Sequence, residues 1–130
     1  MNPTNGLLAE LLSCLEEVNL EYERLLGFVQ QQHCELCLGV AVVSLVGGVF
    51  DLRHYDHLCD MGRRQIELIM DRERRFPPLL DAIEAAGASV QARRRIAELR
   101  VATLRLINQI DQLHAAAWPM QERLTAVSKA

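Results

Sequence analysis

Six of this chain's eight cysteines and histidines, side chains that bind metals or exchange electrons, fall in two short stretches. His33, Cys34 and Cys37 stand in "HCELC"; His54, His57 and Cys59 stand in "HYDHLC". Cys14 stands apart. Thiolate and imidazole are the ligands of tetrahedral zinc, and Cys-x-x-Cys is also the spacing of redox dithiols. If the chain bends at Gly47-Gly48, Cys37 and Cys59 come to a similar height on the two sides of the bend. Local geometry argues the other way. On a helix His57 and Cys59 diverge by roughly 200° and do not readily share one ion. Cys34 and Cys37 flank apolar residues, where cysteine serves as a small hydrophobe. A redox dithiol also wants a helix N-terminus, and this pair falls mid-helix. The expectation is core cysteines, exposed histidines, no cofactor and no metal. Cys34, Cys37, His57 and Cys59 are the candidates if an ion does bind.

Other chemistry is sparse. There is no phosphate loop, no G-x-S-x-G and no H-E-x-x-H. Glu16-Glu17 belongs to an acidic helix face, and no Glu-x-x-His pair recurs on two helices as a di-iron bundle requires. The chain reads as a non-enzyme.

The elements that would position these residues are helices. The chain has 130 residues, one domain's worth. Half are apolar and only 5% aromatic; glycine and proline are few, and Leu, Ala, Arg, Glu and Gln dominate. Apolar residues recur in three- and four-residue steps from Leu8 to Val29 and on through Leu36, Val40 and Val43. This predicts a first helix over about 5–46, with Thr4 or Asn5 as its cap. Gly47-Gly48 suits a helix C-terminus. A second helix is predicted over about 50–76, with Asp51 in its first turn and Pro77-Pro78 as its stop. A short helix over about 79–86 ends at Gly87. Ser89 caps a third long helix, about 89–127, kinked or broken by Pro119 near Trp118. The fold class is all-α: an antiparallel bundle or hairpin of three long helices with a short connecting helix, in one domain over residues 1–130.

Charge and hydropathy narrow the partners. Residues 1–50 carry six glutamates against Arg24, and residues 91–130 carry seven basic groups against three acids. That asymmetry suits complementary helices in one bundle; the basic share is too small and too poor in aromatics for nucleic acid. The apolar run Leu36–Phe50 is 15 residues, short of the ~20 that span a membrane, so no membrane insertion is expected. The start of the chain lacks the basic and apolar regions of a signal peptide. Reduced thiols in a cytoplasm follow as the expectation.

One stretch carries a resemblance. "GGVFDLRHYDHLCDMGRRQIELI" resembles the turn and charged second helix of flagellar type III export chaperones of the FliT type, with Phe50 where tryptophan is usual. "RLINQIDQLHAAAWPMQERLTAV" is similar to that family's closing segment through Ile110, Leu113, Trp118, Pro119 and Leu124, and Tyr22-Glu23 to its first helix. The likeness covers roughly residues 45–128, and the related FlgN-type chaperones share the layout. The resemblance implies a cytoplasmic chaperone without ATPase activity. It would hold the C-terminal helical region of a filament-cap protein and deliver it to the export apparatus. Its groove would be lined by Leu58, Ile66, Ile69 and Met70 of the second helix and Leu99, Leu104 and Ile107 of the third. The segment with Trp118, Pro119 and Leu124 would fold back over that groove as a regulatory tail. Two other readings stand beside it. One is a metal- or redox-responsive helical protein using Cys34, Cys37 and Cys59. The other is a self-associating bundle, a homodimer seamed by the apolar end of the first helix.

Overall fold

The computed structural model describes residues 3–129 and is built of four helices: α1 (Pro3–Leu45), α2 (Arg53–Glu73), α3 (Phe76–Ala86) and α4 (Val90–Lys129). Among the described residues there is no strand. α1 is the spine, at 43 residues about 65 Å long. It packs closely against each of the other three helices, whereas α2 and α4 are not closely packed on one another. Three apolar clusters along α1 give the directions of the rest. Leu11 and Leu15 meet Ile83, Ile96 and Leu99; Leu25 and Val29 meet Ile69 and Ile110; Leu36 meets Tyr55, Ala117 and Leu124. So α4 runs parallel to α1, and α2 followed by α3 returns antiparallel to both. The all-α bundle of three long elements with a short connecting helix is what the chain forms.

The stops follow from backbone chemistry. Gly47 and Gly48 (φ 80° and 90°) and Gly87 (φ 77°) hold left-handed conformations that side chains disfavour, and they end α1 and α3. Ser89 Oγ accepts the Ala92 N–H at 3.1 Å and starts α4. Asp51 lies ahead of α2 instead of inside its first turn; its Oδ1 accepts the Arg53 N–H at 3.0 Å. The Arg53 guanidinium bonded to it holds the Asp51 carboxyl down to about 2.

Three expectations about caps and boundaries are corrected, and of the kink or break expected at Pro119 the break does not occur. α1 is already helical at Pro3, so Asn5 lies within the helix and Thr4 does not precede it; Asn2 lies outside the described residues. α2 begins at Arg53 and ends at Glu73, inside the predicted 50–76. Pro77 and Pro78 occupy the first turn of α3, where the missing N–H groups have no intrahelical partner to lose. α4 is unbroken through Pro119. Ala117 and Leu124, both buried against the end of α1, keep the segment beyond the proline on the bundle.

Among the described residues, no helix is long and apolar enough to cross a membrane. The Val-rich end of α1 is divided: Val40 and Val43 pack on the third cluster, while Leu45, Val46 and Val49 are exposed around the turn.

Candidate functional site

The groove residues separate into two groups. Leu58, Ile69 and Leu99 are buried and belong to the core. Their positions on α2 and α4 are those turned to α1, so they line no surface. Ile66, Met70 and Leu104 are exposed, Met70 to 56% and Leu104 to 63%, and Ile107 is half-buried. Ile66, Met70 and Glu73 share one side of α2 at spacings of four, three and seven. Arg100, Leu104, Ile107 and Trp118 share one side of α4 by the same rule. Glu73, Arg100, Leu104 and Ile107 line one depression of about 220 Å³, together with Leu15, Tyr22, Phe76 and Thr103. A second depression of about 440 Å³ lies between α3 and α4, with Leu80, Ile83, Ala88 and Ile96 as its apolar part and Arg93 and Arg100 at its edge. Arg100 is common to both. One side of α4 thus faces a trough floored by α1 and walled by α2 and α3, apolar inside and basic at the α4 rim.

Polar groups fix the α2 wall. Tyr22 Oη donates to Glu73 Oε1 at 2.5 Å. Burial, then that hydrogen bond and the Glu73 charge, push the Tyr22 phenol well above its ordinary value. Glu21, 4% exposed, accepts the Gln65 amide on its side chain at 2.5 Å and on its backbone carbonyl at 2.9 Å. Arg24 Nη1 meets the other carboxylate oxygen at 2.7 Å. Gln32 Nε2 donates to the Leu58 carbonyl at 3.1 Å, and Gly62 leaves room for that amide. Arg72 Nη1 reaches Glu17 Oε2 at 2.9 Å while its buried Nε lacks a partner. Glu21, Gln32 and Gln65 do not figure in the apolar pattern. Their signal was the interruption itself: polar residues at the spacing of a buried stripe.

The tail residues sit elsewhere than a lid would. Leu124 is 2% exposed, packed between α1 and α2, and its Cδ1 lies 2.8 Å from where a Cβ on Gly39 would stand. Pro119 and Trp118 are exposed on α4. The segment therefore continues α4 along α1 and does not fold back over the trough beside Leu104.

The thiols are also redistributed. Cys14 is buried, Cys59 half-buried, and Cys34 and Cys37 are exposed, against the expectation of core positions for that pair. The helix presents them beside the covered stripe of Leu36 and Gly39, not within it. His54 and His57 are exposed. Burial raises the Cys59 thiol, and Tyr55 beside it is raised by burial too; its Oη donates to Gln121 Oε1 at 3.0 Å. Among the described residues no three of His, Cys, Asp or Glu gather as a metal centre, so Cys34, Cys37, His57 and Cys59 do not form one. The neighbours of Cys37 are instead His33, with Nδ1 3.7 Å from Sγ, and Met120, with Sδ 3.8 Å from Sγ.

No protein-family model, curated protein or solved structure matches the chain.

Proposed function

We propose that this protein is a non-enzymatic helical chaperone or adaptor that holds one amphipathic helix of a partner in the trough between α4 and the α2–α3 wall. The observation that carries this is the trough itself. Leu104 and Ile107 of α4 line it with Phe76 and Leu80 opposite, and Ile66 and Met70 stand exposed on the side of α2 that carries Glu73. A helix laid there would bury apolar residues at i, i+3, i+4 and i+7. Arg93 and Arg100 on the α4 side favour acidic residues on one flank of the incoming helix, and Glu73 and Glu84 opposite favour basic residues on the other. The motifs around Gly47–Ile69 and Arg105–Val127 favour a flagellar export substrate as partner, with the C-terminal helical region of a filament-cap protein first. The export apparatus would then receive the complex.

Native mass spectrometry of the protein co-expressed with that region of the same organism's filament-cap protein tests the reading. A 1:1 complex is expected, and Leu104→Asp, on an exposed position, should abolish it without loss of helix content. Absence of a complex would reject the named partner. A complex indifferent to Leu104→Asp would reject the trough.

A further inference from the structure

At the edge of the third cluster of the core, against which Met120 packs, three metal-ligating side chains come together. His33 and Cys37 stand four residues apart on α1 and so lie on one face. α4, parallel to α1, brings Met120 against the same spot. The thiol of Cys37 sits between the other two, 3.7 Å from His33 Nδ1 and 3.8 Å from Met120 Sδ. Met120 and His33 are half-buried and Cys37 is exposed, so the site is open to solvent on one side and backed by apolar residues on the other.

These separations are those of ligands around one ion. A trigonal centre with bonds of ~2.0 Å to nitrogen and ~2.3 Å to sulfur separates N from S by ~3.7 Å and S from S by ~4.0 Å. The Cys37–His33 and Cys37–Met120 distances match two sides of that triangle. The donor set chooses the ion. Thiolate and imidazole serve Cu(I) and Zn(II) alike, but the thioether suits Cu(I) and is not among the usual ligands of zinc. We propose that His33, Cys37 and Met120 form a binding site for a single Cu(I) ion. On binding, the Cys37 thiol releases its proton to water and the thiolate takes the ion. Charge is balanced: one thiolate, one monovalent cation, two neutral ligands. The copper arrives and stays as Cu(I), so no electron is transferred. An ion held there ties the C-terminal half of α4 to α1.

The proposal separates this triad from the Cys34-x-x-Cys37 pair, the alternative that any exposed dithiol presents. Cu(I), supplied anaerobically as its coloured bicinchoninate complex, is titrated against the full chain. Wild type is expected to take one tightly held equivalent. Cys37→Ser and Met120→Leu should each weaken it by at least about tenfold, the scale on which lost site groups are felt. Cys34→Ser should leave it unchanged. All three positions are exposed or half-buried, and helix content by circular dichroism checks that each variant folds. X-ray absorption of the loaded protein should show one nitrogen and two sulfur ligands. Met120→Leu binding as tightly as wild type would overturn the site, as would an equal loss in Cys34→Ser. A spectrum with thiolate sulfur alone would do the same.

Discussion

α1 meets its two long partners through seams of different chemistry. Toward α4 the contacts are mostly apolar, Leu11 and Leu15 to Ile96 and Leu99, then Leu36 to Ala117 and Leu124. Asn19 interrupts them, donating to the Leu99 carbonyl at 3.2 Å and accepting from the Thr103 hydroxyl. Toward α2 the buried contacts are half polar: Glu21 with Gln65, Gln32 with the Leu58 carbonyl, and apolar burial only through Tyr55, Leu58 and Ile69. Apolar burial is non-directional and strong in sum. Hydrogen bonds add little net stability but fix which residue meets which. The α4 seam therefore supplies most of the cohesion, while the α2 seam sets the register of the trough wall. The wall that would receive a partner is then the one held by fewer apolar contacts, where local opening is easiest.

The largest effect should come from emptying the α4 seam. Leu124→Ala removes a side chain 2% exposed and fitted against the Gly39 backbone. A buried Leu→Ala costs about 2–5 kcal/mol, and urea unfolding should place it there. A loss under about 0.5 kcal/mol, the range of surface substitutions, would mean that the end of α4 is not part of the core. The contrast between the seams would then fail at its strong side.

The α2 seam should respond to pairing more than to volume. Gln65→Leu leaves the buried Glu21 carboxylate without its amide donor, and an orphaned buried polar group costs about 1–3 kcal/mol. Adding Glu21→Leu removes the orphan as well, and Arg24, whose side chain is 66% exposed, returns to water. The double variant should therefore be more stable than the sum of the single losses, a coupling that a double-mutant cycle measures. Simple additivity would show that Glu21 and Gln65 are independent and that α2 is held in register by something else.

The same contrast explains what could be read from the sequence. The α4 seam was legible because its signal is periodic. Leu11, Leu15, Ile96, Leu99, Ile110 and Leu124 recur at helical steps and are all buried. The stops at Gly47-Gly48 and Gly87 were legible because a left-handed backbone all but demands glycine. The α2 seam was not, because the worth of Glu21 depends on Gln65, 44 residues away. Apolar periodicity alone also could not tell Leu58 and Ile69, which face α1, from Met70, which does not. Pro119 was only half legible: of the kink or break that the local rule predicts, the break does not occur, and Ala117 and Leu124 stay packed on the bundle. The meeting of Cys37 with Met120 spans 83 residues and depends on α4 running parallel to α1, which no local pattern states.

The smallest effect tests the polar seam through its protons. Tyr22 donates to Glu73 at one end of α2, and Tyr55 to Gln121 at the other. Both phenols are raised above the ordinary 10.0 in the folded chain, chiefly by burial. The sign follows directly. Below 10.0 the phenols are protonated in both states and give stability no pH dependence. As pH rises past it the unfolded chain loses its phenolic protons first, so the unfolded state is favoured and stability falls. Wild type should lose stability from about pH 10 upward, and a Tyr22→Phe, Tyr55→Phe variant should lose less over the same range. Such a variant keeps the apolar ring of residue 22 on α1 and that of residue 55 on α2, and removes only the two titrating hydroxyls. Parallel alkaline unfolding curves would assign the loss to other groups. Divergent curves would place the pH-sensitive contacts at the two ends of α2, where the hydroxyls bridge to the helices beside it.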